Sequence, residues 1–72
     1  MLTDAEVFSV IEDTPGIDFL SLCRRLLGQT MTVSDRRAVS LRVSCLIHAG
    51  RVRSEHRTRG RMRTVAYWKV IA

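Results

Sequence analysis

Residues 49–70 read AGRVRSEHRTRGRMRTVAYWKV, and the change of period at the start of this stretch decides the fold. Up to Ala49-Gly50 the apolar residues recur at helical spacing. Beyond Gly50 the period drops to two. Val52, with polar neighbours Arg51 and Arg53, begins one strand. Thr64-Val65-Ala66-Tyr67-Trp68-Lys69-Val70 is rich in β-forming residues and reads as its partner. The connection between them, roughly residues 55–62, is polar and basic and carries Gly60. The spacing thus predicts an antiparallel hairpin over about 51–70, and six arginines fall between Arg51 and Arg63.

Upstream of the hairpin lies an amphipathic segment predicted as a helix over about 34–49, with Ser34 as its N-cap. At about 100° per residue, Arg37, Ser40, Ser44 and His48 share one polar arc, flanked by Arg36. Ala38, Val39, Leu41, Val43, Cys45, Leu46 and Ala49 cover most of the remainder, with Ile47 at the boundary. Arg42 projects from the middle of that apolar arc, so it must snorkel or pair with an acid of the first helix. Before this helix, Gln29 to Val33 forms a turn in which Met31 and Val33 are expected to plug the core. A second helix over about 18–27 starts at Asp18, has Phe19, Leu22, Cys23, Leu26 and Leu27 as its apolar set, and ends at Gly28. The first helix, about 4–13, opens with a Thr3-Asp4-Ala5-Glu6 capping box stapled by Leu2 and Val7, and Pro15-Gly16 ends it. Ile17 is left as a single extended residue or a stub of strand.

At 72 residues and 46% apolar composition, the chain is long enough for one domain, 1–72, with a small core. No run of about 18 apolar residues exists to span a membrane, and the N-terminus lacks the pattern of a secretory signal, so a cytoplasmic protein is expected. Charge is sorted along the chain. Residues 1–23 hold Asp4, Glu6, Glu12, Asp13 and Asp18 with no Lys or Arg. Residues 24–72 hold all twelve basic groups against Asp35 and Glu55, and the net charge is +5. Eleven of the twelve basic residues are arginine, whose planar fork pairs with phosphate or a guanine edge in a way lysine cannot. A GC-rich genome favours arginine throughout, but does not explain where the arginines sit. Cys23 and Cys45 are too far apart for a zinc knuckle or a Cys-x-x-Cys pair. With His48 and His56 they fall short of a four-ligand zinc set, and two small buried thiols are expected. No histidine-acid pair, Gly-rich phosphate loop or carboxylate pair suggests an enzyme, and no cofactor is expected.

The order helix, helix, turn, helix, hairpin resembles the winged helix-turn-helix domains of bacterial transcription regulators over essentially the whole chain. The resemblance is carried by Val39, Val43 and Leu46 at the spacing of that family's third-helix core, and by Ala49-Gly50-Arg51-Val52. The basic wing with Arg59-Gly60-Arg61 and the aromatic strand Tyr67-Trp68 complete it. Among short members the chain is most similar to the small regulators of fimbrial operons, although helix three and the wing are both longer here. A phage or plasmid regulator fits as well. The resemblance implies an α+β winged helix-turn-helix fold, three helices followed by a two-stranded antiparallel β-hairpin wing.

It also implies that helix three enters the major groove of double-stranded DNA, which makes Ser34, Arg36, Arg37, Ser40 and Ser44 the candidate contacts. The wing residues Arg57, Arg59, Arg61 and Arg63 would follow the backbone or the adjacent minor groove. Tyr67 and Trp68 lie on opposite faces of one strand, so only one can be fully buried. A chain this short would act as a monomer, as a weak homodimer or beside a larger DNA-bound protein. Two other readings compete: a protein-interaction module (a phage inhibitor or assembly factor) working through an acidic first helix, and an RNA binder.

Overall fold

The computed structural model describes residues 2–29 and 32–71, the side chain of Arg59 excepted. Three helices, α1 (Asp4–Asp13), α2 (Phe19–Leu27) and α3 (Val33–His48), precede an antiparallel hairpin of β2 (Val52–Arg59) and β3 (Met62–Lys69). A two-residue strand, β1 (Ile17–Asp18), lies between α1 and α2. The arrangement is α+β, with the layout of a winged helix. Ile17 is indeed a strand stub: it pairs with Tyr67, so the sheet has the order β1-β3-β2, with β3 central.

Each element buries part of its apolar set. Val7 and Ile11 from α1, Leu22 and Cys23 from α2, and Val39, Val43 and Leu46 from α3 meet in one cluster with Ile17, Val52 and Tyr67. Fully burying a Val, Leu or Ile side chain stabilises by about 1.5–3 kcal/mol, so these few contacts supply most of the drive for a chain this small. Pro15-Gly16 ends α1 as expected. Gly16 has φ +83°, and its N–H donates to Tyr67 O at 2.8 Å, tying the turn to β3. An Arg25 guanidinium N–H donates to the Thr14 hydroxyl and links α2 to the same turn.

Several expectations are corrected. The N-cap of α3 is Thr32, not Ser34. The Thr32 hydroxyl accepts from Asp35 N–H, and the Asp35 carboxylate accepts from Thr32 N–H, both at 3.1 Å. The aspartate at the third helical position makes this box reciprocal, which Ser34 cannot match, and Ser34 falls inside the first turn. Val33 is therefore the first helical residue and is 59% exposed, not a core plug. Met31 lies outside the described residues. At α1 the Thr3 hydroxyl accepts from Glu6 N–H at 3.2 Å, but the Glu6 carboxylate takes the hydroxyl rather than the backbone amide. Asp18 occupies the N-cap position of α2 without a side-chain capping bond.

The apolar arc assigned to α3 is also too wide. Only Val39, Val43 and Leu46 are buried, whereas Ala38, Leu41, Cys45 and Ala49 are exposed, and so only Cys23 of the two thiols is buried. Arg42 reaches Asp4 on α1 at 3.5 Å, so of the two expected outcomes it takes the pairing with an acid of the first helix. Residues 55–62 are not a loop. The strands pair as far as Arg59 with Met62, leaving a two-residue turn at Gly60-Arg61. Gly60 has φ +63° while Arg61 does not share the left-handed region, the pattern of a type II′ turn, whose twist suits a hairpin.

The cap assignment gives a direct comparison. Thr32→Ala is expected to lower stability in urea unfolding by about 1 kcal/mol, and Ser34→Ala by less than about 0.5 kcal/mol. The reverse order would return the cap to Ser34.

Candidate nucleic-acid interface

Side chains alternate across a strand, so the hairpin has two chemically distinct faces. Val52, Val65 and Tyr67 define the inner face, which packs on the helices. Arg63 continues that face toward the tip, opposite Thr58. Arg53 and Trp68 are paired on the outer face, and Arg57 shares it opposite Thr64. The four wing arginines singled out above are thus divided. Arg63 looks toward the helices, Arg57 looks away, and Arg61 stands at the turn. Arg59 ends β2, and its side chain lies outside the described residues.

All five helix candidates, Ser34, Arg36, Arg37, Ser40 and Ser44, are exposed. They do not share one direction. Arg36 and Ser40 lie on the flank of α3 that faces the wing, and they line an open groove with Arg63, Thr64 and Val65 of β3 and with Asp18, Phe19 and Leu20. Arg37 and Ser44 lie further round, on the arc opposite the buried Val39, Val43 and Leu46. At about 100° per residue Arg37, Leu41, Ser44 and His48 fall within about 60° of one another. Ser34 is on the far side of that arc. The groove and the outward arc therefore form one continuous surface of α3, basic at Arg36 and Arg37 and joined to the wing through Arg63.

Beneath the groove, burial pushes the Cys23 thiol pKa up, opposed in part by the positive charge of Arg36. Burial also raises the Tyr67 phenol, with a smaller contribution from Cys23. Both groups stay neutral at neutral pH and serve packing. Among the described residues no group of three or more His, Cys, Asp or Glu is placed to hold a metal ion. No helix among them is long and apolar enough to cross a membrane.

The wing carries a second feature that sequence reading did not find. Trp68 is half-buried, with the Arg53 guanidinium 4.7 Å and the Arg57 guanidinium 5.0 Å from its ring centre. On its other side the indole packs against Gly16, where an added Cβ would meet it at 3.5 Å. The signal for it is the hairpin register, which becomes readable once the turn is placed at Gly60-Arg61. Trp68 thus holds two arginines of an edge strand in order and fixes the base of the wing to the α1–β1 turn. The charges along β2 also discourage pairing of its free edge with another chain.

Comparison of the chain with protein-family models, curated proteins and solved structures finds no match.

Trp68 is the only tryptophan, so its fluorescence reports this stack. The double substitution Arg53→Ala, Arg57→Ala is expected to red-shift the emission, increase acrylamide quenching and cost about 0.5–1 kcal/mol per contact. Unchanged emission and quenching would remove the stack from the account.

Proposed function

We propose that the chain is a small transcription regulator that binds double-stranded DNA, with α3 in the major groove and the Arg-rich wing on the backbone or in the adjacent minor groove. The observation that carries this reading is that Arg36 and Ser40 of α3 line the same groove as Arg63 of the wing. A helix and a hairpin that open onto one concave basic surface can engage a groove and its flanking phosphates together. The division of the wing arginines suits this use. A hairpin tip entering a minor groove leads with Arg61 and carries Arg63 on its inner face, while Arg57 follows the flanking backbone from its place beside Trp68. The Thr32 cap leaves the amino end of α3, with its partial positive charge, beside Arg36. In this reading the protein acts in the cytoplasm without catalysis or a cofactor, as a monomer, as a weak homodimer or beside a larger DNA-bound protein.

The acidic first helix supports a protein-docking role less well. Glu12 is held by Lys69 at 2.8 Å, Asp4 by Arg42 at 3.5 Å, and Glu6 takes the Thr3 hydroxyl. Exposed pairs of this kind contribute at most about 1 kcal/mol, but they occupy three acids with partners inside the chain. Duplex RNA is disfavoured because its deep, narrow major groove does not admit a helix.

Fluorescence anisotropy with labelled random duplex DNA over a salt series tests the reading. The native protein is expected to bind at low salt, with an affinity that falls steeply as salt rises. Arg36→Ala with Arg37→Ala, and separately Arg61→Ala with Arg63→Ala, should each flatten the log–log slope by about 0.9 for every phosphate contact removed. All four positions are exposed, so circular dichroism should be unchanged. Absence of binding at low salt, or identical slopes in all three proteins, would contradict it.

A further inference from the structure

Leu41 is the largest apolar group on α3 that the core does not use. It is 66% exposed at mid-helix, on the side opposite Val39, Val43 and Leu46. Arg37 lies one turn before it and Ser44 one turn after, so the three form a line along the outward arc. Exposed Ala38 and Cys45 lie to one side of it, and with Arg42 and the leucine they line a shallow, largely apolar depression.

Single exposed leucines are ordinary on protein surfaces. This one stands out because of its surroundings. It projects from the helix that carries exposed Arg36 and Arg37, on the strongly basic part of the chain. A second copy docking α3 against α3 around Leu41 would set two chains of net charge +5 basic face to basic face, and one leucine pair is a small apolar contact to set against that repulsion. The complementary occupant is a polyanion with an apolar projection. In the major groove of DNA that projection is the C5-methyl group of thymine, the one methyl that the four standard bases present there. Arg37 to Leu41 rises about 6 Å and Leu41 to Ser44 about 4.5 Å along the helix, so the three residues span between one and two base-pair steps of about 3.4 Å on either side of the leucine.

We propose that Leu41 is a specificity-determining residue that reads a thymine methyl, with Arg37 placed to pair with a guanine on a neighbouring step. This rests on the duplex-DNA reading given above. Without its methyl, thymine is uracil, so the contact can be removed from the DNA without altering base pairing.

The experiment selects duplexes from a random pool with the native protein. The retained sequence is then resynthesised with deoxyuridine at each thymidine in turn, and binding is measured for the native protein and for Leu41→Ala. At one or two thymidines the replacement is expected to weaken native binding about fourfold per methyl and to leave Leu41→Ala binding unchanged. Leu41 packs against little, so the variant keeps its fold by circular dichroism. Equal losses in both proteins, no loss in the native protein, or retained duplexes lacking thymine would overturn the assignment of Leu41 and leave DNA binding standing. If no duplex is retained at low salt, the DNA reading falls and the assignment with it.

Discussion

The backbone of Tyr67 is held from both sides, by Ile17 across one edge of β3 and by Ser54 across the other, while its carbonyl takes the Gly16 N–H at 2.8 Å. Its ring enters the helical core and is only 7% exposed. This one residue therefore links the α1–β1 turn, the hairpin and the helices. Without β1 the hairpin would be a two-stranded ribbon, which is marginal in water on its own. The pairing also sets the direction of the wing. With Tyr67 and Val65 facing the helices, period two leaves Arg63 on the α3 side and Arg57 and Trp68 on the other.

The charge placement of the chain acquires meaning from that geometry. Of the acids of the first quarter, Glu6 meets the Thr3 cap, and Asp4 and Glu12 form ion pairs with Arg42 and Lys69 that link α1 to α3 and β3. Arg36 and Arg37 of α3 and Arg61 and Arg63 of the wing remain in solvent, whereas Arg53 and Arg57 stack on the indole of Trp68. A surface of unpaired guanidinium groups repels itself, a cost that counter-ions or a polyanion would relieve.

Much of this was legible in the sequence because it depends on local chemistry. The bounds of α1 follow from Thr3 and Pro15-Gly16, and the onset of the hairpin follows from the switch of period after Gly50. The length of the hairpin was hidden because beyond Val52 β2 buries none of its described side chains, so its register comes from β3 and not from its own pattern. The start of α3 was misread because Thr32 and Ser34 are both good capping residues, and only Asp35 at the third position selects between them. The exposed face of α3 was misjudged for a different reason. Composition suggests a broad apolar arc, but a domain of this size has only enough core for Val39, Val43 and Leu46. Periodicity could group the basic residues on an arc or a strand. It could not show that Arg36 and Ser40 share a groove with Arg63, because the wing's orientation depends on pairing with β1.

The most direct test of the interface is an NMR titration of the 15N-labelled protein with a duplex DNA, following the backbone amides of the described residues. The largest shifts are expected at Arg36, Arg37, Ser40 and Leu41 of α3 and at Arg61 and Arg63 of the wing, with α1 little changed. Shifts centred on Glu6, Glu12 and Asp13, or spectra unaffected by DNA, would contradict the assignment of α3 and the wing as a nucleic-acid interface.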